Sequence, residues 1–219
     1  MIVAGMDEAG RGPLIGSMFV ALVVAESSQL EKLVTLGLKD SKVLSPNKRK
    51  YFYNLILKTS KLVLVKEVKV EEIDRESVSE LTIRAMAELL RKALEEVEID
   101  EVCVDIVGNG KKQEEELKKI FPNVKVLKKA EAKCPAVAAA SVVAKEMRER
   151  HLSRLKAVYG DFGSGYPSDP KTLSWLERVE SLPPIVRKKW KTVKSKGARA
   201  AARGEGENDN SLEARGGGN

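Results

Sequence analysis

Residues 1–25, MIVAGMDEAGRGPLIGSMFVALVVA, hold two apolar runs, Ile2 to Met6 and Phe19 to Ala25, joined by a Gly/Pro-bearing loop that begins with Asp7 and Glu8. Both runs read as strands, and the glycines and prolines between them punctuate the chain. Carboxylates at the end of a strand suit a hard divalent cation. Gly10 and Gly12, on either side of Arg11, lack a Cβ and let backbone N–H groups approach a sugar or phosphate. The stretch therefore points to metal-assisted chemistry on nucleic acid.

Working outward, Lys61 to Val70 sets Leu62, Leu64 and Lys66 against Val63, Val65 and Glu67, the alternation of a third strand. Glu101 to Val107 and Asn123 to Leu127 supply two more short apolar segments. Helical spacing falls between them. Ser45-Pro46 offers an N-cap followed by proline at the first helical position, with Tyr51, Leu55 and Ile56 behind it. Glu80 to Val97 repeats the pattern, and Ala136 to Tyr159 reads as a long helix, small and apolar first and charged later. Three early strands followed by helices alternating with two more strands predict an α/β fold, a mixed β-sheet flanked by helices. After Gly165 the spacing turns wholly helical, with Asp169-Pro170 as the start signal. We divide the chain into a catalytic unit 1–165, a small C-terminal helical portion 166–194, and a tail 195–219 of Gly, Ala, Arg, Glu and Asn expected to be disordered.

At 219 residues the chain has room for one good core with an appended subdomain. No run is long and apolar enough to span a bilayer and the start of the chain lacks signal-peptide sections, so a cytoplasmic protein is expected. The net charge of +7 favours a polyanionic partner. Cys103 and Cys134 form neither a C-x-x-C motif nor a disulfide framework and read as two buried free thiols, each close in sequence to an acidic candidate. His151, the only histidine, reads as surface decoration.

Six segments in one order resemble the type 2 ribonucleases H, the ribonuclease HII family, especially its archaeal members. They are Asp7-Glu8-Ala9-Gly10-Arg11-Gly12, Asp40-Ser41-Lys42, Val104-Asp105, Ala138 to Lys145, Gly163 to Pro170 and Pro183 to Thr192. The resemblance spans roughly Met1 to Val193 and implies a ribonuclease H-like fold. The activity it implies is cleavage of the RNA strand in RNA–DNA hybrids, including 5′ of single ribonucleotides within duplex DNA, leaving 3′-hydroxyl and 5′-phosphate ends. It matches Asp7, Glu8 and Asp105 to three of the family's four acidic positions, holding two Mg²⁺ or Mn²⁺ ions. Glu131 stands where an aspartate is usual, one methylene longer, to assist a metal or its water. In the family Gly10-Arg11-Gly12 would contact the 2′-OH, the group that tells RNA from DNA, and Tyr166 would stack on the neighbouring sugar. Ser41, Lys42, Lys145 and Arg148 match phosphate-facing positions, and a monomer is expected.

Other readings stand beside these. Arg150 is equally suited to a solvated helical face. Arg187 to Lys191 is a basic run fit for a backbone groove, within which Trp190 more readily anchors the last segment to the core. The Glu131 departure admits a hybrid-binding protein with a decayed centre, and a shared core fold admits a resolvase or integrase.

Overall fold

The computed structural model describes residues 1–38 and 44–195. Five strands, β1 (Ile2–Ala9), β2 (Met18–Glu26), β3 (Leu62–Val68), β4 (Glu101–Asp105) and β5 (Val124–Leu127), form one sheet in the order β3-β2-β1-β4-β5. β1 pairs antiparallel with β2 and β2 with β3, whereas β1–β4 and β4–β5 are parallel. The sheet is therefore mixed, with β1 at its centre where the sense changes. Helices cover both faces, so the inner strands are apolar on both sides and read as continuous runs.

One face packs against α1 (Ser27–Thr35), α2 (Pro46–Thr59) and α6 (Pro135–Tyr159), the other against α4 (Val78–Glu96) and α5 (Gly110–Lys118). Strand alternation assigns the faces: Val3 with Ala21, Val23 and Cys103 lies toward α6, and Ala4 and Met6 with Val20, Leu22 and Val104 toward α4. By the same period Asp7 shares the α6 face with Val3 and Gly5, and Asp105 shares it with Cys103. α6 lies directly on β1 because its first turns are small and Gly5 has no side chain. A Cβ there would stand 2.1 Å from the Ala136 carbonyl carbon.

All five strands and the helices starting at Pro46 and Pro170 fall where the sequence places them. Ser45 accepts from the Lys48 N–H and Asp169 from the Lys171 N–H. α1, α5 and the short α3 (Val70–Arg75) were not foreseen. α1 follows β2 with no Gly or Pro break and buries only Leu30 and Leu33, and α5 buries only Gln113 and Leu117, too few for an apolar stripe. The C-terminal portion is less helical than its spacing suggests. Beyond α7 (Pro170–Arg178), helix returns only at 191–195, because Pro183 and Pro184 fix an irregular path between. That path bridges Ile15 to Val186 and buries Val186, Trp175 and Phe162 with Leu14 and Ile15 in a third apolar cluster.

Among the described residues no helix is long and apolar enough to cross a membrane. Cys103 and Cys134 are buried free cysteines whose thiols share a hydrogen bond, and Cys103 Sγ also lies 3.4 Å from its acceptor Glu101 Oε1. The bond between the thiols pulls Cys134 down to about 7 and, with burial, pushes Cys103 up. His151 is not surface decoration. Its side chain is 15% exposed, lies edge-on to Phe19, and accepts the Ser17 N–H at Nε2, 3.3 Å. Burial pushes its imidazole down.

Candidate active site

β1 and β4 run parallel side by side; β4 ends in Asp105 and β1 carries Asp7 just past their last paired residues, Met6 and Val104, both aspartates on the α6 face. A cleft opens there, lined by Asp7, Glu8, Asp105 and Glu131 on one side and by the Gly10-Arg11-Gly12 loop, Lys145, Arg148 and Tyr166 around it. Crevices at the carboxyl ends of parallel strands, where the strand order reverses, are where open α/β sheets bind ligands.

Asp7 Oδ1 accepts the Glu8 N–H at 2.8 Å, and the Ser141 hydroxyl bonds to the same carboxylate. Burial, reinforced by the adjacent Glu8 charge, pushes the Asp7 carboxyl well up. Burial also raises Glu8, against the pull of Arg11, whose Nη1 lies 3.6 Å from Glu8 Oε1. Asp105 Oδ1 accepts the Ala130 N–H at 2.9 Å. That bond ties the end of β4 to the 3-10 turn Ala130–Ala132, which carries Glu131. Lys129, just before the turn, takes a left-handed φ of 52°, the one non-glycine with positive φ among the described residues. On α6, Ser141, Lys145 and Arg148 follow at helical spacing along one face.

The donor set fits a hard cation. Glu8 Oε2 is buried without a hydrogen-bond partner, and Asp7 is buried beside it with its charge opposed. An oxygen-only set is what Mg²⁺ or Mn²⁺ takes, with some of its own waters retained. Among the described residues no three His, Cys, Asp or Glu side chains are already gathered around a common point. Like charges in a low-dielectric cleft repel, and a cation supplies the compensation they lack.

The structure brings ten of the twelve sequence-derived site residues to this cleft; Ser41 and Lys42, with Asp40, lie outside the described residues. Arg148 is there in an unexpected posture. It is 4% exposed, donates from Nη2 to the Ser164 carbonyl at 3.0 Å, and stands 5.0 Å from the centre of the Tyr166 ring. Arg11 is held between two partners, Nη2 donating to Ser79 Oγ at 3.0 Å and Nη1 standing 3.6 Å from Glu8 Oε1. Arg150 does not line the cleft; it pairs with Glu146 at 3.1 Å and lies over Tyr53. Arg187, read from sequence as part of a groove-facing run, is fully buried. Its guanidinium donates to the carbonyls of Gly10, Arg11 and Gly16.

Two residues escaped the sequence reading. Ser141 sits within the quoted Ala-Ala-Ser run, and only the contact with Asp7 reveals its use. Gln113 is buried and braces β4 by donating to the Asp105 carbonyl at 2.9 Å and accepting the Val107 N–H at 2.8 Å. Its one signal is a lone amide in an otherwise charged segment.

The sequence profile of the family described as Ribonuclease HII matches residues 4–193, almost the whole of the described chain. The chain belongs to the ribonuclease HII family. It is 42% identical over 197 residues to the ribonuclease HII of Sulfurisphaera tokodaii, covering 88% of this chain and 94% of that one. The crystal structure of ribonuclease H2 from Pyrococcus horikoshii OT3 superposes with a TM-score of 0.81 at 37% identity, over 92% of this chain and 99% of that one. An RNase HIII solved in complex with Mn²⁺ shares the fold, with a TM-score of 0.76 at 22% identity over 93% of this chain and 71% of that one. The ribonuclease HII family cleaves the RNA of RNA–DNA hybrids and depends on divalent metal, so this chain is a metal-dependent endoribonuclease. Its mixed five-stranded sheet is the ribonuclease H-like fold.

Proposed function

We propose that this chain cuts RNA–DNA hybrids and also cuts 5′ of single ribonucleotides embedded in duplex DNA, with two metal ions, leaving a 3′-hydroxyl and a 5′-phosphate. The observation that carries the reading is the pairing of two elements across one cleft: carboxylates at the ends of β1 and β4, and a Gly-Arg-Gly backbone beside Tyr166. Acidic ligands alone fit many nucleases. A loop whose backbone reaches a ribose gives the cleft something to read.

Asp7, Glu8 and Asp105 would hold two Mg²⁺ or Mn²⁺ ions, which supply an activated water and neutralise charge on the attacking and leaving oxygens. Ser141 holds the Asp7 carboxylate in place, and the bond between Asp105 and Ala130 sets the height of the turn bearing Glu131. Glu131, longer by a methylene than aspartate, lines the cleft from that turn and would assist a metal or its water. Gly10, Arg11 and Gly12 present backbone to the 2′-OH. Tyr166, braced by Arg148, stacks on the sugar beyond it. Lys145 faces a phosphate of the strand and positions the duplex without reading sequence. Residues 166–194 pack onto the unit 1–165 beside the cleft, a role supported by the burial of Trp175, Ile185 and Val186 against Leu14 and Ile15.

The test pairs Asp7→Asn with direct metal binding. The variant keeps the acceptor for the Glu8 N–H and removes the charge. It is expected to lose cleavage by about 1,000-fold or more and to show no Mn²⁺ binding by calorimetry where the unaltered protein is expected to bind. Retention of most of the activity would remove Asp7 from the metal centre.

A further inference from the structure

The Gly10-Arg11-Gly12 loop owes its shape to a residue 175 or so positions away in sequence. Arg187 is 0% exposed, and each part of its guanidinium takes a different carbonyl: Nε to Gly16 at 2.8 Å, Nη1 to Arg11 at 3.0 Å and Nη2 to Gly10 at 2.6 Å. The Trp190 indole N–H takes the next carbonyl, that of Gly12, at 3.2 Å. The segment bearing both is stitched to the chain around the loop. Gly16 N donates to the Ile185 carbonyl at 2.8 Å, Arg187 N donates to the Leu14 carbonyl at 2.8 Å, and Asp74 accepts the N–H groups of Lys188 and Lys189.

Peptide geometry turns this tether into a statement about the cleft. In a trans peptide the N–H of one residue points opposite to the C=O of the residue before it. With the Gly10 and Arg11 carbonyls drawn back to Arg187, the N–H groups of Arg11 and Gly12 face the other way. That is the side of the cleft, which Gly10, Arg11 and Gly12 line and Arg187 does not. Neither N–H has an acceptor among the described residues. Pro13 then follows with no N–H of its own, so the Gly12 carbonyl is held by Trp190 without presenting a third donor.

The chemistry asks for arginine here. A planar fork with donors at Nε, Nη1 and Nη2 spans three carbonyls at fixed directions, which a lysine ammonium, a single point of charge, does not. The cation is desolvated without a carboxylate in ion-pair range among the described residues, so the three loop carbonyls are its compensation. We propose that Arg187 is the positioning residue of the ribose-reading loop: it holds back three carbonyls so that the Arg11 and Gly12 N–H groups stand as a paired donor for the sugar 2′-oxygen of the ribonucleotide. This rests on the reading of that loop given above.

The test measures binding rather than cleavage. Fluorescence anisotropy in EDTA gives Kd for a DNA duplex carrying one ribonucleotide and for the all-DNA duplex of the same sequence, with the unaltered protein, Arg187→Lys and Trp190→Phe. The unaltered protein is expected to prefer the ribonucleotide. Arg187→Lys is expected to lower that preference about 10-fold, and Trp190→Phe, which keeps the ring and drops one tether, about 3-fold. The Kd for all-DNA duplex stays within about 2-fold, because phosphate contacts are untouched. A purely structural role lowers the competent fraction and weakens both duplexes equally. An unchanged preference in the variants, or equal weakening of both duplexes, overturns the assignment of Arg187. Should Arg187→Lys fail to fold, Trp190→Phe decides the matter alone. No preference in the unaltered protein overturns the ribose-reading loop itself, and Arg187 with it.

Discussion

Asp7 shows what a carboxylate buried at a cleft asks of the fold. It is 9% exposed, its charge is opposed by burial and by Glu8, and Glu8 has a buried oxygen with no partner. Two buried carboxylates side by side weaken the fold while nothing compensates their charge. In metal-free buffer Asp7→Asn is therefore expected to stabilise the protein by ~0.5–2 kcal/mol, read by chemical denaturation. Adding Mn²⁺ should raise the melting temperature of the unaltered protein and not that of the variant. That Asp7, Glu8 and Asp105 meet in one cleft was legible from sequence, because an acid near the end of an apolar strand is costly unless something pairs with it. Arg187 was not, since its partners lie 171 to 177 residues away and a buried cation among carbonyls looks, in sequence, like any basic run. His151 hid for the same reason, its acceptor atom serving an N–H 134 residues off.

At the scale of elements, the contact of α6 with β1 fixes the distance between the two walls of the cleft. α6 brings Ser141, Lys145 and Arg148, and β1 brings Asp7 and Glu8, so any displacement between them alters the site. Gly5 is the point of closest approach. A Cβ would meet the backbone of Ala136 and Val137 at 2.1 to 2.3 Å, atoms that no rotamer change moves away. Gly5→Ala is expected to cost about 3 kcal/mol by urea denaturation, with loss of cleavage in the fraction that folds. The strands were legible as apolar runs between turn residues, and α2, α4, α6 and α7 as capped or periodic segments. α1, α3 and α5 were not, because each is short and buries few side chains, so tertiary packing rather than a stripe defines it. Strand order was equally hidden, since pairing of β1 with β4 is settled by the crossover that α4 completes.

For the whole molecule, a net charge of +7 predicts association that weakens with salt, whatever the sequence of the duplex. Lys145 lines the cleft beside the acidic cluster. Lys145→Met is expected to weaken hybrid and all-DNA duplex alike and to reduce the slope of log K against log salt by about 1, measured by anisotropy between low and moderate salt. A change confined to the ribonucleotide-bearing duplex would show that Lys145 reads the sugar instead. The family of the chain was legible because six short motifs occur in one order. How its closing segment folds back onto the first loop was not, because contacts between the two ends of a chain leave no local pattern. On the function proposed above, one cleft joins metal-dependent hydrolysis to recognition of a ribonucleotide. That function is tested most directly with an end-labelled DNA duplex carrying a single ribonucleotide, incubated with Mg²⁺, with Mn²⁺ and with chelator, beside an all-DNA duplex. One metal-dependent cut is expected, 5′ of the ribonucleotide, leaving a 3′-hydroxyl, with the all-DNA duplex intact. Binding without any cut, there or on a long hybrid, would contradict it.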